Sequence, residues 1–143
     1  MSTARDRRGW ILALGSNEAD AAVKLSAARA ALSAVGALDW QSEPTRTADI
    51  DGGDRAYLNQ LLILLTPLSA VALRTACKAI ESAAGRSPAR LQAGQCDLDI
   101  DLVARYREVA GHRFARRRPG KCLRLPWLQG MLRQWQQQGL RLK

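Results

Sequence analysis

The order of its apolar stretches constrains this chain more than any other feature. "GWILALG" (9–15) and "AYLNQLLILLT" (56–66) are short apolar runs that read as buried strands, and "DLDIDLVARY" (97–106) reads as another. "LDWQSEPTRT" (38–47) alternates loosely and suggests a further strand ahead of a polar loop, "ADIDGGDR" (48–55). Between the strands lie two helical patterns. Asn17 can cap a helix from about Glu18 to Val35, with Leu25, Ala28, Leu32 and Val35 on one face and Gly36 as its stop. Thr66-Pro67 signals the start of a second helix, with Leu73, Cys77, Ile80 and Ala84 inward and Gly85 ending it. A loop (86–95), a polar basic stretch (111–121) and a last helix over 125–138 complete the reading. The order β-α-β-β-α-β predicts an α+β protein: a ferredoxin-like, split-βαβ antiparallel sheet with helices packed on one face.

A chain of 143 residues can bury a core as a single domain, residues 1–143. No apolar run is long enough to span a membrane, and the apolar stretch after the basic N-terminus is too short for a signal peptide. These features predict a cytoplasmic protein without a membrane partner, taken as a monomer. Cys77, Cys96 and Cys122 lie far apart, with no pairing that suggests zinc or a disulfide framework. The net charge of +9 is unevenly placed. Residues 1–104 carry 11 basic and 12 acidic side chains, whereas residues 105–143 carry 11 basic and one acidic. This basic C-terminal segment either attracts a polyanion (a nucleotide triphosphate, nucleic acid or a membrane surface) or is a solvated tail.

"QCDLDIDLVA" (95–104) places Asp97, Asp99 and Asp101 at alternate positions, which in a strand share one face. Carboxylates side by side repel one another, so either a cation sits among them or they line the wet face of an edge strand.

"ALGSN" closing the first strand, "YLNQ" in the third, and an "E…GR" loop followed by "LDIDL" occur in that order over roughly residues 10–104. Together they resemble the 6-hydroxymethyl-7,8-dihydropterin pyrophosphokinases of folate biosynthesis, which transfer pyrophosphate from ATP to a pterin alcohol. The resemblance implies ATP as co-substrate and two Mg2+ ions held by Asp99 and Asp101, with Asp97 outside the ligand set. Magnesium commonly takes one or two carboxylates together with substrate phosphates, so the residue types suit it. The resemblance also implies a pterin pocket built from Thr47, Ile50, Tyr57 and Asn59 on a floor of Gly15, Ser16 and Asn17. An amide such as Asn59 offers donor and acceptor together, as a pterin edge requires. Asn17 could equally be only a helix cap, and Tyr57 a core aromatic. Glu81 and Arg86 match the "E…GR" motif as an ion pair or ATP contact, with Arg86 counted among the catalytic residues beside Asp99 and Asp101.

The chain departs from the family pattern around ATP. Pro88 and Cys96 stand where arginines would clamp the triphosphate, and neither can do that. Arg90 and the run Arg116, Arg117, Arg118 are the candidate replacements. The family's "PH" motif has no counterpart, since the only histidine, His112, precedes Arg113. Cys122 stands where an aromatic would close over the pterin, leaving Phe114 or Trp127 for that place. Two other readings follow: a homologue that binds pterin or nucleotide without transferring, and a nucleic-acid-binding protein using its basic C-terminal segment.

Overall fold

A computed structural model describes residues 6–49, 51–118 and 125–143. Its strands are β1 (Arg7–Ser16), β2 (Ala37–Gln41), β3 (Thr45–Thr47), β4 (Tyr57–Leu65), β5 (Asp99–Val109), β6 (His112–Arg117) and β7 (Leu140–Leu142). The helices are α1 (Ala21–Leu32), α2 (Ala70–Ala83), α3 (Pro88–Gln92) and α4 (Pro126–Gln137). The strands form one sheet in the order β2-β4-β1-β5-β6-β7, with β3 also pairing β4. All pairings are antiparallel except β6 with β7. The expected α+β, ferredoxin-like arrangement is present.

The central strands read as continuous apolar runs because both of their faces are covered. Trp10, Leu12 and Leu14 of β1 pack with Leu25 and Leu32 of α1 and with Leu73 and Cys77 of α2. The alternate residues Ile11 and Ala13 pack with Leu128, Leu132 and Trp135 of α4. Helices therefore lie on both faces of the sheet, where one face was expected. The amphipathic pattern of α4 marks a buried stripe, but nothing in it specifies a side of the sheet.

Several boundaries move for local reasons. The expected second strand is two, because the chain turns at Ser42, whose N–H donates to Leu61 O and whose Oγ accepts from Leu61 N–H. The second helix begins after Ser69, whose Oγ accepts from Ala72 N–H at 3.2 Å. Thr66 instead donates to Val35 O, and its hydroxyl also accepts from Leu68 N–H. Ser87 caps the short α3 inside what reads as a loop, with Pro88 at its start. The basic stretch expected to be irregular contains β6. Ala110 (φ 51°) and Gly111 (φ 79°) both take left-handed conformations, which matches a two-residue hairpin turn between Val109 and His112.

Candidate functional site

The β1–β4 and β1–β5 registers set the site. Gly15 lies between Asn59 on one side and Asp99 on the other, and Ala13 lies opposite Asp101. Residues directly opposed across an antiparallel pair share a face. Asn59, Gly15, Asp99 and Asp101 therefore stand on the α4 side of the sheet, with Thr47 and Tyr57 of the β3–β4 pair beside them. There they surround a cavity of about 390 Å³, also lined by Asp49, Asp51, Arg86, Cys96, Leu125 and Trp127.

On the carboxylate side, Asp99 Oδ1 accepts from Arg86 Nη1 at 2.8 Å, and the same nitrogen reaches Leu98 O at 3.0 Å. Glu81 approaches Arg86 at 3.5 Å, and its Oε2 accepts from Ile100 N–H at 2.8 Å. Among the described residues β6 joins β5 only from Ala104 onward, and Glu81 takes the Ile100 N–H on the strand edge before that point. Burial, and next the Asp99 carboxylate, push Asp101 well above the usual carboxylate range. Burial is the larger cause, and the neighbouring carboxylate adds to the cost of ionising a second acid on the same wall.

Asp97 does not join them. It precedes β5 and is only 2% exposed, with Arg90 Nη2 at 3.0 Å from its Oδ1 and Lys24 of α1 as a second partner. The strand alternation expected for all three aspartates holds only for Asp99 and Asp101.

On the opposite wall, Asn59 is 6% exposed and its Nδ2 donates to Thr47 Oγ1 at 2.5 Å. A Cβ on Gly15 would stand 3.0 Å from Asn59 Oδ1 and 3.6 Å from the Tyr57 ring, so the bare glycine leaves the amide its place. Burial raises the Tyr57 hydroxyl above its ordinary value. Asn17 is not the cap of α1, which begins at Ala21 after Asp20. Its amide instead accepts from Cys96 N–H at 2.7 Å and donates to Gly94 O at 2.9 Å, fastening the 94–96 loop to the end of β1. Ser16 Oγ also bonds Cys96 O, at 3.3 Å. Ile50 lies outside the described residues.

A model of the family described as 7,8-dihydro-6-hydroxymethylpterin-pyrophosphokinase matches residues 11–140. The chain belongs to that pyrophosphokinase family. A search among curated proteins gave no match.

The departures from the pyrophosphokinase pattern now have positions. Cys96 lines the cavity as a neutral thiol, pushed up to about 11 by burial first. Arg90 is held by Asp97 and Glu18 and is not among the residues lining the cavity. Strand alternation splits the arginine run. Arg117 lies opposite Ala104, on the α4 side with the carboxylates, while Arg116 lies opposite Arg105 on the other side. Arg118 places its guanidinium 5.6 Å from the Trp10 ring, also on that far side. Arg116 and Arg118 therefore stand on the opposite face of the sheet from Asp99 and Asp101. Of the two replacement aromatics, Phe114 is opposite Arg107 on the far side, and Trp127 lines the cavity. Trp127 Nε1 is buried there with no hydrogen-bond partner. Sequence reasoning missed Asp49, Asp51 and Leu125 as wall residues, since loop and helix-start positions carry no periodic signal. Among the described residues no helix is long and apolar enough to cross a membrane.

Proposed function

We propose that this protein transfers pyrophosphate from ATP to 6-hydroxymethyl-7,8-dihydropterin, using magnesium held at Asp99 and Asp101. One observation carries the reading: a carboxylate pair and an amide-bearing pterin wall face the same cavity, separated only by the width of β1. The donor set fits the metal, since hard carboxylate oxygens completed by substrate phosphates are what magnesium takes. Among the described residues no cluster of three or more metal-ligating side chains exists, so substrate oxygens and water would complete the sphere. Bound magnesium, two ions in this reading, would neutralise phosphate charge and hold the oxygens in line.

In the reaction, the pterin hydroxymethyl oxygen bonds to the β-phosphorus of ATP, the bond from that phosphorus to the α–β bridging oxygen breaks, and AMP departs with that oxygen. The alcohol proton passes to solvent. Such a transfer needs positioning and charge neutralisation more than a protein nucleophile. Asn59, steadied by Thr47, reads the pterin edge, and Tyr57 and Trp127 supply aromatic walls. Trp127 Nε1, a buried donor without a protein partner, is available to a pterin acceptor. Arg86, already beside Asp99, is the cation among the described residues lining the cavity and would meet the transferred phosphates. Arg117 is the member of the arginine run on the correct face to meet the triphosphate.

The absence of clamp arginines at Pro88 and Cys96 favours a second reading, in which the cavity binds pterin or nucleotide but transfers nothing. AMP release from ATP and magnesium, with and without the pterin, separates the two. AMP formed only with the pterin supports transfer. Pterin binding by titration without AMP supports the binding module, and neither signal overturns both.

A further inference from the structure

The basic segment builds a second surface, on the sheet face away from the cavity. There α1 and α2 cover β2, β4, β1 and the first half of β5, through Ile100 and Leu102. Beyond them the pairings set side chains in rows across β1, β5, β6 and β7. One row is Arg8, Arg107, Phe114 and Arg141, and the next is Trp10, Arg105 and Arg116. All five of these arginines are exposed, and Arg118 reaches over Trp10 as well. Asp6 pairs with both Arg8 and Arg107. Among the described residues Arg105, Arg116, Arg118 and Arg141 have no carboxylate partner within ion-pair distance.

Like charges directly opposed across strands destabilise a sheet, and Arg105 faces Arg116 in that way. The array thus costs stability unless a polyanion covers it. Three of its guanidinium groups are also ordered on rings: Arg105 at 5.3 Å and Arg118 at 5.6 Å from Trp10, and Arg141 at 5.6 Å from Phe114. A guanidinium resting on a ring loses little freedom on binding and offers its outer plane to a flat partner. Among the described residues the large exposed apolar ones, Val23, Val71 and Leu91, all lie outside these rows, so none of them gives the face a wedge for a bilayer.

We propose that this face binds single-stranded nucleic acid, its arginines meeting phosphates and the ring-ordered guanidinium planes stacking on bases. The surface does not depend on the chemistry of the cavity, and the two stand or fall separately.

The test is fluorescence polarisation of a short fluorescein-labelled oligoadenylate with the full chain, across a salt series. The double variant Arg105→Glu/Arg141→Glu should lose at least about tenfold in affinity. Its log–log salt slope should flatten by about 1.4, two phosphate contacts at about 0.7 each for a single strand. Arg105→Lys/Arg141→Lys keeps the charge without the planes, so it should keep the slope and lose affinity several-fold. Thermal unfolding of both variants checks that they are folded. Unchanged binding in the folded glutamate variant would overturn the proposal, as would absence of binding by the parent chain. Polyglutamate or anionic vesicles competing as well as the oligonucleotide, charge for charge, would assign the face to an acidic protein or a membrane and overturn it too.

Discussion

Glu81 Oε2 accepts the backbone N–H of Ile100 at 2.8 Å, and Ile100 is the residue between Asp99 and Asp101. A side chain on α2 therefore fixes the strand edge that carries the carboxylate pair. Glu81→Ala leaves this N–H without its partner and removes a neighbour of Arg86, at a cost of about 1–3 kcal/mol in stability. Glu81→Gln keeps an acceptor and should retain most of that stability. If pyrophosphoryl transfer is the function, the alanine variant loses turnover out of proportion to its unfolding at the assay temperature. Urea midpoints measured beside AMP release separate the two effects.

The three alternate aspartates should respond in opposite ways. Asp101→Asn removes a buried carboxyl beside Asp99, so the ligand-free protein should become more stable, whereas Asp99→Asn gives up the Arg86 pair and should not; both should lose the proposed magnesium-dependent transfer. Asp97→Asn weakens the pairing with Arg90 and Lys24, which keep Glu18 and Asp20 as partners, and should cost about 1.5–3 kcal/mol. It should retain transfer at temperatures where it is folded. Equal loss of turnover from all three, with no gain in stability at Asp101, contradicts this division.

Most of the fold was legible because α1, α2, β1, β4 and β5 announce themselves by apolar periodicity. What was hidden is instructive. β6 reads as a solvated basic stretch because Ala115 is its one fully buried residue, and an alanine between arginines gives almost no alternation signal. The split of Arg116 from Arg117 follows at once when that segment is known to be a strand, and it cannot be derived without it. Asp97 was placed beside Asp99 by spacing, but the strand starts two residues later, and spacing does not say where a strand begins. At the candidate site, Gly15, Tyr57, Asn59, Asp99 and Asp101 were picked out by motif order and Thr47 by the resemblance, and all line the same cavity. Trp127 escaped placement because its side of the sheet depends on where α4 packs.

Acid should weaken the protein through Asp97. Arg90's hydrogen bonds, with Lys24 adding to them, outweigh burial and hold this carboxyl below its ordinary value. A folded-state value below the unfolded one, about 3.9, gives stability that is complete above that unfolded value. It is lost as pH falls through the folded value, because the unfolded chain takes up the proton first. The parent chain should therefore show a steeper fall in melting temperature below about pH 4 than Asp97→Asn, which lacks this group. Parallel acid limbs for the two proteins would contradict the pairing.

Trp127 offers the finest probe of the proposed pterin wall. Its ring lines the cavity and its Nε1 is buried without a partner, an arrangement that costs stability until a ligand acceptor arrives. Trp127→Phe keeps an aromatic wall and removes the donor. In the ligand-free protein this change should be close to neutral, since an unsatisfied polar atom is lost along with some packing. Pterin affinity should fall by about 0.5–1.5 kcal/mol, the net contribution of one neutral hydrogen bond. Trp127→Ala removes the wall as well and should weaken binding further. Calorimetric titration with the pterin on all three proteins orders these effects. A phenylalanine variant binding as tightly as the parent would show that only the ring, and not its N–H, meets the ligand.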